Sequence, residues 1–320
     1  MQNMAMVRSQ MRNSEYWALR DTLDRAAEDE LLERIAALLE EGYLDTQQKI
    51  YAFYGEFAEE NSITYEEATR LLEPLELKDC ADRIKRLKEL VDDIDGNNPF
   101  SASTRAHIKR EIKLLQGRGR ITRLQRLCDA INEKWIDITT QIDREVGNLL
   151  RQTYDREYHE SLQEAGVSKT VIPVKQIEAS ILIPVFGNNF SDNIWRNKDN
   201  LLAFINTELK KGLVTGRDVR KTAKLLQQQE QVTYYQASRL VRTENCAART
   251  AGTLEGYRQS RAISAVEILV AGDERMCPGC GSRAGVVVAL SQAVLGDNVP
   301  PFHPNCRCTI TPVITNDTDE

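Results

Sequence analysis

Four of the chain's seven cysteines, Cys277, Cys280, Cys306 and Cys308, fall within 32 residues of one another, and His303, one of only three histidines, stands beside the second pair. A fold containing this stretch must bring two separated loops to one place or leave four thiols scattered. In MCPGCG, Met276 to Gly281, two thiols lie either side of a proline–glycine turn, a knuckle that aims both sulfurs at one point. Two ligands do not fill a tetrahedral site. The remainder would come from PPFHPNCRC, where His303, Cys306 and Cys308 offer three candidates for two positions. The expected metal set is therefore four of Cys277, Cys280, His303, Cys306 and Cys308, with zinc as cofactor; a disulfide or unliganded thiols are the alternatives. Four protein ligands leave no open position for water or substrate, so such a zinc is structural. Cys80, Cys128 and Cys246 are scattered through helical-looking sequence and read as small buried hydrophobes.

The chain has 320 residues, 41% hydrophobic and 28% charged, enough for two domains of a folded, soluble type. Its longest apolar stretches, such as Ser180 to Phe186 and Val286 to Leu290, fall far short of the ~20 residues a membrane helix needs. No membrane partner is expected. The opening MQNMAMVRSQMRNSEYW lacks an apolar core followed by a cleavage site, so synthesis and first residence in the cytoplasm are expected.

Net charge is −6, which argues against a protein whose whole surface coats nucleic acid. The distribution is uneven. Asp21 to Asp95 holds 22 acidic residues against 9 basic ones. The sign then reverses, with Arg105, Lys109, Arg110, Lys113, Arg118, Arg120, Arg123 and Arg126 set against Glu111 alone. This basic stretch suits either a solvated helical face partnered by the preceding acids or contact with DNA.

Helical spacing dominates the first half. Asn13 and Ser14 can cap a helix from about Glu15, with Leu31, Leu32, Ile35, Leu38 and Leu39 recurring until Gly42 ends it. A second helix is expected after Asp45, carrying Ile50, Tyr54 and Phe57, and a capping box at Thr64 and Glu67 opens a third. A fourth carries Ile84, Leu87 and Val91, and DGNNPFSAS, Asp95 to Ser103, is the clearest early break. After Gly117 and Gly119, residues 121–164 read as one long helix stepping from Leu124 to Leu149, with Gly147 its weak point. From Gly166 to Asn189 the β-branched residues and two prolines predict extended segments. Helices return at Leu201 to Leu209, Val219 to Leu226 and Tyr234 to Arg258; three short strands follow at Ala265 to Ala271, Val286 to Leu290 and Thr309 to Ile314. The expected fold is α+β and mostly α: a helical region over 1–165, an extended connector over 166–189, and a domain over 190–320 with a helical bundle and a small sheet stapled by cysteines.

No GxGxxG, GxxxxGK[ST] or HExxH pattern is present, and neither a catalytic residue nor a small-molecule substrate is expected. His303, Pro304 and Asn305 beside paired cysteines resemble an HNH-type nuclease site, but His107 and His159 lie on distant helices. A metal-dependent nuclease or other effector built on the same cluster is the alternative reading. Arg242, Thr243 and Glu244 hold types used in nucleotide chemistry, yet consecutive helical residues point in different directions.

Four motifs in order carry a more specific likeness: NFSDNIWRNKDNL from Asn189, SRLVRTENCAA from Ser238, GDERMCPGCGSRAG, and PPFHPNCRC. Together they resemble the phage minor head proteins, also called head morphogenesis or Mu protein F-like proteins, most specifically from Asn189 to Val313. The opening NSEYWALR is similar too. The resemblance carries over Arg242, Thr243 and Glu244 as a helix signature, Asp273 as the acid before the knuckle, and the terminal Cys/His cluster. It implies a non-enzymatic minor capsid protein inside the virion or procapsid, bound to the phage portal and other capsid components and assisting head assembly and DNA packaging or ejection. Some relatives carry an added toxin module; none is expected here after the last strand.

Overall fold

The structure, a computed structural model, describes residues 14–59, 82–91, 101–116, 123–168, 170–215 and 219–314, with side chains at some helix ends excepted. The capping box at Thr64 and Glu67, Cys80, most of the Asp95 to Ser103 break, Gly117, Arg118, Gly119 and Arg120 lie outside the described residues, as do the side chains of Tyr54, Phe57, Lys113 and Arg123.

The chain is α+β and mostly helical. In order come α1 (Ser14–Glu59), α2 (82–91), α3 (Ser101–Gln116), α4 (Arg123–Glu164), α5 (Val174–Ile181), α6 (Phe190–Thr215), α7 (Val219–Arg258), β1 (Ile263–Leu269), α8 (Pro278–Gly281), β2 (Val287–Ala289) and β3 (Thr309–Ile314). Two compact units divide it. The first comprises Met1–Glu33, Glu145–Phe190 and Ser238–Glu320, and the second Arg34–Arg144 and Ser191–Ala237.

The second unit is helical throughout its described residues. Here the helix expected to stop at Gly42 continues to Glu59, so the two expected helices are one. Gly42 is not a terminator. A Cβ there would stand 2.6 Å from Ile138 Cδ1 and 3.0 Å from the Trp135 ring, so the glycine is what lets α4 lie this close to α1. Trp135 uses that space: its indole N–H donates to Thr46 Oγ1 at 3.0 Å, and its ring meets Tyr43 edge-on at 5.1 Å. Thr46 in turn donates to the Gly42 carbonyl at 2.7 Å. A second cluster joins Leu87, Val91, Ile108, Ile112, Ile136 and Trp195. The expected helix around Ile84, Leu87 and Val91 therefore buries the side its spacing indicated.

In the first unit α4 continues past Gly147 without a break, burying Val146, Leu150, Tyr154, Tyr158 and Leu162 at steps of three and four. The connector expected to be extended contains α5. Pro173, with φ −62° and ψ 134°, stands as its N-cap, and Ile177 and Ile181, four residues apart, are buried. A proline at the start of a helix sacrifices no intrahelical bond, so it opens the element rather than blocking it. The segments expected at Val219 to Leu226 and Tyr234 to Arg258 form one 40-residue helix, α7.

The small sheet has strand order β2-β1-β3, antiparallel throughout. Val266 pairs with Val288 on one side and Pro312 on the other, and Ile268 pairs with Ile310. Pro312, which cannot donate to a ladder, sits in an edge strand. Ile263, Val266, Ile268, Val288 and Ile310 pack with Leu254 and Tyr257 from the end of α7. That packing holds the loops between the strands against one side of α7.

Candidate metal centre

The knuckle forms where β1 gives way to α8. Cys277 is extended (φ −77°, ψ 153°) and caps the short helix, its sulfur accepting the Cys280 N–H at 3.3 Å, with Pro278 in the first turn. Both thiols of the CPGC turn thus lie on one side of it. The second loop arrives through PPFHPNCRC. Asn305 takes φ 62°, a left-handed conformation that asparagine tolerates better than most residues, and the turn closes with Cys306 N–H donating to the His303 carbonyl at 3.1 Å. Two contacts fix this loop to its surroundings. The Asn305 N–H donates to Thr243 Oγ1 on α7 at 3.0 Å, and the Arg307 guanidinium pairs with Asp273 at the start of the knuckle loop. The Arg307 hydrogen bonds hold the Asp273 carboxyl down at about 2.

His303 Nε2 lies 3.3 Å from Cys277 Sγ and 3.0 Å from Cys280 Sγ. Its Nδ1 lies 2.8 Å from the Pro304 carbonyl, which can only accept, so Nδ1 carries the hydrogen and Nε2 presents a lone pair to the sulfurs. Cys280 Sγ is 3.9 Å from Cys306 Sγ. Two sets have ligand atoms all within 4.8 Å of one another: Cys277, Cys280 and His303, and Cys280, Cys306 and Cys308. In a tetrahedral zinc site with Zn–S about 2.3 Å, neighbouring sulfurs stand about 3.8 Å apart, so each triad has the spacing and softness to supply three ligands to such an ion; no four of the five expected donors gather within 4.8 Å of one another. Cys277, Cys280, Cys306 and Cys308 are free thiols, as are Cys128 and Cys246.

The thiol environments differ. The Cys280 amide draws Cys277 below the ordinary thiol value, while burial pushes Cys280 up to about 12. Hydrogen bonds from Cys246 and Cys308 lower Cys306, and the same bonds raise both donors.

Cys246, expected to be a separate core residue, is buried but belongs to the cluster with Cys280, Cys306 and Cys308. Its thiol also faces the Cys308 carbonyl at 3.6 Å. The pattern that reveals it is the run Thr243, Cys246, Arg249 and Thr253 on α7, spaced for one helical face. Arg249, nearly buried, donates to the Cys308 carbonyl at 3.2 Å and to Asp24 at 3.1 Å. Asp24 also pairs with Arg156.

The remaining signature residues diverge, as their consecutive positions require. Arg242 reaches Asp29 at 3.5 Å; Glu244 is buried, which raises its carboxyl to about 7; neighbouring Asn245 donates to Glu28 at 2.8 Å. In the basic stretch, Lys109 and Arg110 are exposed and Arg105 and Arg126 half-buried. Arg110 is paired with Asp199 at 3.3 Å, and Arg126 accepts from Arg83 through its carbonyl at 3.4 Å. His107 stacks on Trp195 at 4.9 Å, and His159 bonds the Asp155 carbonyl at 2.8 Å. Neither belongs to the metal groups found among the described residues.

No helix among the described residues is long and apolar enough to cross a membrane. Neither a curated protein nor a solved structure matches the chain. Residues 203–311 match the family model described as Phage Mu protein F like protein. The matched stretch contains Arg242, Thr243, Glu244, Asp273 and every member of the Cys/His cluster. Over residues 203–311, about a third of its length, the chain is similar to the Phage Mu protein F like proteins.

Proposed function

We propose that this is a phage minor capsid protein, acting in head morphogenesis from inside the procapsid and virion, where it associates with the portal and assists DNA packaging or ejection. The observation that carries the reading is the coincidence of the family match with a built cysteine centre: the matched residues 203–311 contain all the donors that gather on α7. The centre binds zinc as a structural fastener, tying the knuckle and the HPNCRC loop to one helix.

Chemistry supports fastening over catalysis. Both His303 ring nitrogens are engaged, one by the Pro304 carbonyl and one by the cysteine sulfurs, so His303 has no free nitrogen with which to act as the general base of a nuclease. Asp273 is engaged with Arg307. Exposed Val171, Val174, Ile183 and Phe186 around α5 give the first unit apolar surface of the kind protein partners cover. Within the described part of the basic stretch, Lys109 and Arg110 on α3 are the exposed cations and would be the ones to meet DNA in the capsid lumen.

Coexpression with the portal protein of the same phage tests the reading: the chain is expected to copurify with portal rings. Failure to associate, together with metal-dependent cleavage of plasmid that His303→Ala abolishes, would replace it with the effector reading.

A further inference from the structure

Within the second unit, cations gather where no consecutive run announces them. Between Glu208 and Lys224 six basic residues stand against Glu208 and Asp218, divided between the end of α6 and the start of α7. Arg217 and Asp218 lie outside the described residues; the other five cations, Lys210, Lys211, Arg220, Lys221 and Lys224, are all exposed. Because α6 ends at Thr215 and α7 begins at Val219, four Cα steps join them and their ends stand within about 15 Å of each other. At ~1.5 Å per residue each cation lies within ~8 Å of its helix end along the axis, so five positive charges share one tip.

Stability does not account for this placement. The start of a helix carries partial positive charge, so cations in the opening turns of α7, which has no acid in its first turn, oppose it. Lys211 pairs with Glu208 on its own helix, but Lys210, Lys221 and Lys224 form no ion pair among the described residues. On α7 the cations stand one, three and four residues apart, on the side opposite buried Thr222 and Leu226.

The residue types select the partner. Four of the five are lysines, point charges that meet phosphate without the planar fork that suits carboxylates and base edges. No aromatic residue occurs between Ile205 and Leu226 on which unpaired bases could stack. Resting on the capsid reading above for where DNA is met, we propose that this tip of α6 and α7 binds the phosphate backbone of double-stranded DNA without reading its sequence. It carries more of the contact than Lys109 and Arg110 on α3, of which Arg110 is already paired with Asp199.

Fluorescence anisotropy of a labelled duplex of about 20 base pairs, titrated with the full chain at a series of sodium chloride concentrations, tests this. The logarithm of affinity is expected to fall against the logarithm of salt with a slope of about −4. Lys210→Gln, Lys221→Gln and Lys224→Gln together are expected to make that slope shallower by about 3 and to weaken binding at least about tenfold at low salt, with thermal stability unchanged or raised. Lys109→Gln with Arg110→Gln is expected to do less. Equal loss in the two variants, tighter binding of a single strand, or no binding of the duplex by the parent chain would overturn the proposal. A parent chain that instead self-associates at low salt, and loses this in the triple variant, would overturn it in favour of docking on the acidic stretch of a second copy. Copurification with portal rings is expected to survive in the triple variant, so this proposal can fail while the capsid reading stands.

Discussion

The backbone N–H of Asn305 donates to the side-chain oxygen of Thr243 across 3.0 Å, joining residues 62 positions apart. Thr243 Oγ1 donates in turn to the Arg239 carbonyl at 2.6 Å, so its one free hydrogen is used and its lone pair faces the loop. Thr243→Val keeps the shape and removes both bonds, leaving the Asn305 amide unsatisfied. The expected loss is about 1–2 kcal/mol in urea denaturation, with zinc content reduced or bound more weakly. Unchanged stability would show that the signature threonine does not hold the loop.

Two glycines of α7 set how closely it approaches α4 within the first unit. A Cβ at Gly252 would strike the Tyr154 carbonyl oxygen, and one at Gly256 would strike Ser161 Oγ and crowd the Tyr158 carbonyl at 2.8 Å. Backbone oxygens cannot swing aside as a flexible side chain does. Gly252→Ala is expected to cost about 2–3 kcal/mol by overpacking, measured as a lowered denaturation midpoint at unchanged slope. Gly166→Ala, where nothing lies within 4 Å but φ is 67°, is expected to cost only about 1 kcal/mol.

Asp143 gives a pH signature in the second unit. Burial raises its carboxyl to about 6, partly offset by hydrogen bonds from Thr104 and Ser191. An acid whose folded value is raised costs stability when ionised, so the penalty is full above pH 6 and vanishes as pH falls below the unfolded value near 4. Asp143→Asn removes the ionisation. Its stability relative to the parent chain is therefore expected to decline by roughly 2 kcal/mol between pH 7.5 and 4.5, followed by denaturation at a series of pH values. A difference that does not vary with pH would refute the assignment.

Helical spacing and cysteine spacing made much of this architecture legible. The strand Thr309 to Ile314 appears at its expected bounds, and α4 fills the expected helix over 123–164, positions 121 and 122 lying outside the described residues. What escaped depends on partners remote in sequence. Gly42 looks like a helix end because glycine usually is one; only Trp135 and Ile138, some 90 positions away, explain its place inside α1. The β-branched connector looked extended, yet Pro173 opens a helix because two isoleucines on one face find burial. Cys246 was missed for the same reason: it has no neighbouring cysteine, and its relation to Cys306 exists only once the sheet has packed against α7.

Chelation gives a fourth test. Withdrawing the proposed metal would remove the attraction that holds the two loops together, while the sheet packing on Leu254 and Tyr257 remains. Amide exchange at Cys280 and Cys306, whose N–H groups close the two turns, is expected to accelerate at least about tenfold, with β1 much less affected. Equal acceleration across β1 would mean that the ion holds the whole first unit rather than its loops.

X-ray absorption at the zinc edge of the purified full chain tests the central claim most directly. The expected spectrum has a sulfur-dominated first shell at about 2.3 Å with a minor nitrogen contribution from His303. A first shell of oxygen and nitrogen alone, or a protein without bound metal, would contradict the sulfur-held fastener.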